Sequence, residues 1–226
     1  NSNGLWLEDS NILESEAEEL VDEGNFSAIK MRLGRENFND DLEAIHTVRQ
    51  VVGDHIKLMV DFNQSLTLDE ALNRCHKLDD FNLTWIEEPL IYDNFDGYSR
   101  LTKDIKTPIQ LGENFYGHRE LYKALQIGAS DLVMPDFMRI GGVSGWLKSA
   151  TIAEAAGIPI STHLYPEVGA HVMRVSQSAH WLEWLDWADE IQKDPFPKEN
   201  GFIKIPNKPG LGIEWDEAAI SKNAYS

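Results

Sequence analysis

Cysteine is almost absent from this chain. Cys75 stands alone, so no disulfide can close within it, which fits a reducing, cytoplasmic setting. Its helical neighbours Ala71, Leu72 and Leu78 suit a small core residue. No apolar run approaches the roughly 20 residues of a membrane-spanning helix, and no charged-then-apolar signal peptide opens the chain. Basic residues are scarce: 20 Lys and Arg stand against 38 Asp and Glu, for a formal charge of −18. So acidic a surface repels nucleic acid and anionic membrane, because binding either means neutralising phosphates. Much of the excess, such as Glu14, Glu18 and Glu19, reads as a solvated helical face. Asn1 is no initiator methionine and an apolar stretch follows closely, so the expectation is a fragment of a longer protein.

What is present is a regular alternation of short apolar segments with amphipathic ones. Strands are expected at 5–7, 28–33, 57–61, 83–87, 109–113, 132–135, 160–163 and 180–183. Helical patterns fill 13–23, 41–52, 68–78, 98–105, 120–127, 143–156 and 169–175. Such alternation predicts an α/β fold with parallel strands joined by helical crossovers. Eight such strands predict a closed (β/α) barrel of TIM type, with its chemistry at the C-terminal strand ends. Residues 1–184 would form the barrel. Residues 185–226, with Pro195, Pro197, Pro206 and Pro209 and no strong period, would wrap as a C-terminal extension.

Three of those strand ends carry acids at intervals of 26 residues: Asp61, Glu87 and Glu113. Neighbouring strand ends would bring the three together, and carboxylates so packed repel one another unless a cation lies between them. The spacing therefore predicts a hard-metal site, with Mg²⁺ the expected ion and Mn²⁺ a workable substitute. Lys30 and Arg32 share one face of strand two by alternation. Strands six, seven and eight end at Asp136, His163 and Glu183. A metal can hold a substrate carboxylate and stabilise the enolate formed when its α-proton leaves. His163 has the intrinsic pKa to move that proton, and Asp136 can orient the imidazole. Glu183 would serve as a protonated hydrogen-bond donor to the enolate if its surroundings raise its pKa.

Several stretches, in order, resemble the enolase superfamily and, within it, the mandelate racemase-like branch (the mandelate racemase/muconate lactonizing enzyme family). They are Val60-Asp-Phe-Asn-Gln64, Trp85-Ile-Glu-Glu-Pro89, Leu111-Gly-Glu-Asn114, Met134-Pro-Asp136, Ile140-Gly-Gly-Val-Ser-Gly-Trp146, Ser161-Thr-His-Leu164 and His180-Trp-Leu-Glu-Trp-Leu185. The resemblance implies a modified (β/α)7β barrel. It makes Asp61, Glu87 and Glu113 metal ligands, Asp136 and His163 the acid–base dyad, and Glu183 the residue facing the substrate carboxylate. Lys30 matches the first lysine of the family's Lys-x-Lys, and Asn63 a residue near the substrate. It also implies a small carboxylate substrate and a homo-oligomer.

Two departures qualify that match. Arg32 replaces the second lysine, and a guanidinium does not readily lose its proton. One-sided chemistry at His163, such as acid-sugar dehydration, is therefore favoured over two-sided racemisation of a 2-hydroxy acid. The chain is expected to begin at barrel strand one, without the family's N-terminal α+β capping domain, so the cap or another subunit would cover exposed apolar surface around the tail and barrel mouth. A non-catalytic barrel serving as an interaction module is the rival from another class. No His-x-His occurs, which disfavours zinc-dependent amidohydrolase chemistry. Gly141, Gly142 and Gly145 read as tight-turn residues rather than a phosphate loop. Trp184 and Leu185 follow Glu183 closely enough to line a substrate wall.

Overall fold

The computed structural model describes residues 2–7 and 9–223. Strands β1 (Ser2–Leu5), β2 (Ala28–Arg32), β3 (Lys57–Asp61), β4 (Ile86–Glu87), β5 (Ile109–Leu111) and β6 (Leu132–Val133) form one parallel sheet in sequence order. Parallel neighbours cannot be joined by a tight turn. The crossovers contain α1 (Ser10–Asp22), α2 (Phe38–Val52), α3 (Leu68–Leu78), α4 (Phe95–Asp104) and α5 (His118–Gln126). Beyond β6 come α6 (Phe137–Ile140), α7 (Gly142–Ala156) and α8 (Pro166–Met173). Parallel bridges extend the pairing from Val133 to Ile160, from Asp136 to His163 and from Ile160 to Ala179. None of the helices, among the described residues, is long and apolar enough to cross a membrane.

Local chemistry fixes the helices. Helix α3 starts in a capping box, with Thr67 and Glu70 exchanging hydrogen bonds, and buries Ala71, Cys75 and Leu78 along one face. Between α6 and α7, Gly141 takes φ 101°, and a Cβ on Gly145 would collide with the carbonyl oxygen of Ile140. Gly141 and Gly142, both at positive φ, make the expected turn, whereas Gly145 lies inside α7 and serves the close approach to Ile140.

Alternation along the strands divides the interior in two. Ile29, Met31, Leu58, Val60 and Ile86 face the helices and form the main core. The opposite face carries Ala28, Met59, Trp85 and Leu132, which pack into a separate apolar layer against Trp181. One step further along the same face stand Lys30, Asp61 and Glu87. Charged groups thus rest on an apolar floor, placed there by the period-two repeat alone.

The last two expected strands are not regular ladders. Trp181 N–H bonds Ser161 Oγ (3.3 Å) and Glu183 N–H bonds Thr162 Oγ1 (2.9 Å), so side-chain hydroxyls replace ladder carbonyls. Three ladder-type bonds persist, Ile160 N–H to Ser178 O, His180 N–H to Ile160 O and Thr162 N–H to Trp181 O. The extension also has more structure than its composition suggests. It holds a 3₁₀ turn (Asp189–Ile191), the hairpin β7 (Lys198–Glu199) to β8 (Phe202–Ile203), and α9 (Glu217–Asn223). The hairpin turns at Asn200 and Gly201, both at positive φ. Its Gly201 N–H bonds Gly24 O at 2.7 Å. Residues 224–226 of the expected extension lie outside the described residues.

Of the two residues expected beside the substrate, Leu185 borders a pocket at Leu164, whereas Trp184 belongs to a separate apolar cluster. It is buried with Phe26 and Phe196, and its indole N–H bonds Glu23. Trp187, Met138 and Phe202 are 66%, 75% and 77% exposed.

Gly112 ends β5 at φ 137°, and a Cβ there would lie 3.0 Å from the backbone nitrogen of Met134. Gly112→Ala should therefore destabilise the fold by about 1–3 kcal/mol, read from urea denaturation midpoints. An unchanged midpoint would show that the close approach of β5 to β6 imposes no constraint.

Candidate functional site

Strand register lines up the site. Arg32 pairs with Asp61, and Asp61 with Glu87, across three adjacent strands. Glu113 follows β5 after the Gly112 turn. Asp61, Glu87 and Glu113 each offer a carboxylate oxygen, all within 4.8 Å of one another. Such a set of hard oxygen donors fits Mg²⁺ by ligand type.

Each carboxylate is held from outside the cluster. Asp61 accepts from Arg32 and from the Asn63 backbone N–H (2.8 Å). Arg32 also lies over the Trp6 ring, 5.4 Å from its centroid. Glu87 accepts from the Trp85 indole (3.0 Å) and takes Lys30 Nζ on both oxygens at 2.9 Å. Lys30 is fully buried and reaches across to Glu183 Oε1 at 2.8 Å. Burial alone would depress its pKa, but Glu183 and Glu87 outweigh that and hold it above its ordinary value.

Glu183 departs from expectation. Burial favours its neutral form, yet the Lys30 and His163 charges and the Leu164 N–H bond (2.8 Å) keep its pKa below the usual range. It is a carboxylate here and not a protonated donor, because an ammonium group lies against it.

Asp136 caps α6. Its Oδ1 accepts from the N–H groups of Met138 (2.8 Å) and Arg139 (3.1 Å), which leaves Oδ2 for His163 Nδ1 at 2.9 Å. The far ring nitrogen, Nε2, lies 3.1 Å from Glu113 Oε2. Burial pulls the His163 pKa down, but the contacts with Asp136 and Glu113 and the charge of Glu183 raise it to about 10. Glu113 is the counterpart: burial opposes its charge, and His163 with Lys30 and Arg32 brings it down to about 2. Asp136 is likewise lowered, His163 outweighing its burial.

All nine expected residues, Lys30, Arg32, Asp61, Asn63, Glu87, Glu113, Asp136, His163 and Glu183, thus join one contiguous polar network. His180 does not join it; its ring lies against Trp85 and Trp181. Participants without a role in the sequence-based assignment include Trp85, the Leu164 N–H, Asn114 and Glu88. Glu88 and Asn114 both stand inside recognised motifs, yet the strand repeat gives no sign that they approach the cluster. Burial, with Glu113 and Glu87 adding repulsion, pushes Glu88 up to about 8.

A groove of about 560 Å³ lies away from the network, lined by Phe26, Ala170, Met173, Trp181 and the tail hairpin. A smaller apolar pocket of about 210 Å³ is lined by Leu164, Tyr165, Leu185 and Trp187 and adjoins the network at Leu164.

Known proteins resemble this chain in sequence and fold. An L-talarate/galactarate dehydratase from Salmonella typhimurium is 33% identical over 197 residues, covering 87% of this chain and 50% of that protein. An enolase from the alpha proteobacterium BAL199, solved with bound Mg, matches with 55% identity and a TM-score of 0.96 over 98% of this chain and 62% of its own. An enolase from Bradyrhizobium, solved with magnesium and mandelic acid, gives 40% identity and a TM-score of 0.92 over 98% and 61%. The chain thus spans half to three-fifths of the length of these relatives. The family described as "Enolase C-terminal domain-like" matches residues 13–219, and the chain belongs to it.

Proposed function

We propose that this chain carries the metal-binding and acid–base face of an enzyme that removes the proton α to a carboxylate, with acid-sugar dehydration as the reaction. The observation that carries the reading is the meeting of two systems in one contact. The His163–Asp136 dyad touches the three-carboxylate cluster through Glu113. Asp61, Glu87 and Glu113 would hold Mg²⁺, which supplies Lewis-acid stabilisation for the charge left on the substrate carboxylate. Asp136 holds Nδ1, so His163 presents Nε2 to the α-carbon as the base. The proton taken there can leave with the β-hydroxyl as water. Lys30 places a fixed positive charge beside Glu87 and Glu183, suited to holding an anionic substrate group. Asn63 lies where it can bond the same substrate.

Arg32 is engaged with Asp61, and a guanidinium is a poor base, which favours one-sided chemistry. Racemisation of a 2-hydroxy acid is the second reading, supported by the mandelic acid bound to the Bradyrhizobium relative. The filled network argues against a purely structural or interaction module. In this reading residues 1–184 form a closed (β/α)7β barrel. Residues 185–226 form an extension that meets a capping domain or another subunit, in a cytoplasmic homo-oligomer. The relatives' greater length supports that further domain.

Three outcomes are expected. Mg²⁺ or Mn²⁺ should stabilise the protein by about 2.7 kcal/mol at 100 times Kd, read as a rise in Tm; no rise at millimolar metal removes the cluster's assignment. His163 should stay protonated through neutral pH in the metal-free protein, and metal should lower its NMR midpoint by occupying Glu113. Its folded pKa of about 10 exceeds the ordinary 6.5. The imidazolium therefore stabilises the metal-free fold fully below pH 6.5 and loses that contribution as pH rises through about 10. His163→Asn should retain the metal-induced rise in Tm but slow α-proton exchange of acid sugars in D₂O by ~10²–10⁴-fold. Exchange at the parent rate would falsify the base assignment.

A further inference from the structure

Glu88 is a buried acid that the proposed chemistry leaves unused. It follows Glu87, yet its backbone leaves the strand at φ 37°, in the left-handed region. Both of its backbone groups are tied: its N–H bonds Gln110 O at 3.1 Å, and its carbonyl accepts from Gln64 N–H at 2.7 Å. The side chain is therefore aimed by the fold into full burial. There Oε2 accepts from Asn114 Nδ2 at 2.8 Å, while Oε1 has no hydrogen-bond partner. Among the described residues Glu88 is not part of the three-carboxylate cluster.

Asn114 links Glu88 to that cluster. The same Nδ2 that bonds Glu88 also reaches Glu113 Oε1 at 3.3 Å. The Glu113 carboxylate can only accept, so the amide NH₂ must face it; a flipped amide would set its oxygen against that charge. Glu113 is thereby held by one oxygen. The other, Oε2, lies against His163 Nε2 at 3.1 Å without a well-aligned hydrogen bond.

A buried carboxyl group with an unpartnered oxygen is costly to keep. Ordinary packing gives it no use here. We propose that Glu88 and Asn114 form a positioning pair: Glu88 orients the Asn114 amide, and Asn114 fixes Glu113 Oε1 so that Oε2 is presented to the cation. The proposal rests on the reading that Asp61, Glu87 and Glu113 hold Mg²⁺. Neither Glu88 nor Asn114 touches the metal in it. Outer partners of this kind shape affinity by fixing a ligand's geometry before the ion arrives.

Calorimetric titration of the full chain with Mn²⁺, together with the bound ion's EPR spectrum, tests this without any substrate. Asn114→Ala and Glu88→Ala should each weaken Mn²⁺ binding by ~10- to 100-fold and broaden the spectrum. Glu88→Gln keeps an oxygen that can accept from Asn114, and should return affinity to within about threefold of the parent. The double variant should be no weaker than Asn114→Ala, since both changes break one chain of contacts.

Asn114 is partly exposed, so its truncation should leave the fold intact even where Glu88→Ala fails to fold. A parent that binds while Asn114→Ala binds equally well overturns the pairing and leaves the metal reading standing. Glu88→Gln as weak as Glu88→Ala also overturns it, by assigning the effect to charge. A parent that takes up no Mn²⁺ overturns the metal reading, and the pairing with it.

Discussion

Everything at this site depends on one buried ammonium group. Lys30 has no solvent contact, yet it holds Glu87 through both oxygens and reaches Glu183 from the far end of the chain. Removing charges from water is costly, and only close, complementary partners offset that cost. Here the partners of this β2 lysine come from β3, β4 and the segment after Ala179. The ammonium group thus ties together the first and last parts of the strand sequence. It also sets the charge state of Glu183, and so decides whether that side chain accepts or donates hydrogen bonds.

The carboxylate triad was legible in the sequence because it depends only on periodicity. A repeat of 26 residues per strand and helix, combined with alternation in the strands, is enough to bring Asp61, Glu87 and Glu113 to one place. Asp136 and His163 were legible for the same reason, since each closes an apolar segment. Helix α3 was legible to the residue, because its Thr67–Glu70 capping box and apolar period agree.

Other features depend on physics that no local pattern records. The protonation of Glu183 is set by a lysine on a distant strand. Glu88 escapes the strand alternation through a left-handed backbone step, so its meeting with Asn114 is invisible to a period-two argument. The segments 160–163 and 180–183 have strand-like composition, but Ser161 and Thr162 offer hydroxyls that take over ladder bonds. Trp184 is one residue from Glu183, and alternation sends it outward to Phe26 and Phe196. The Asn200-Gly201 turn was a hairpin signal in plain view, obscured by the prolines around it.

The apolar floor of Ala28, Met59, Trp85, Leu132 and Trp181 has a further consequence. It shields the charged layer from below, while Arg32, Asn63 and Glu113 keep partial or full exposure at the C-terminal ends of the strands. Water and small ions reach His163 from that side, so whatever covers it controls both the lifetime of a charged species inside and the supply of protons to His163.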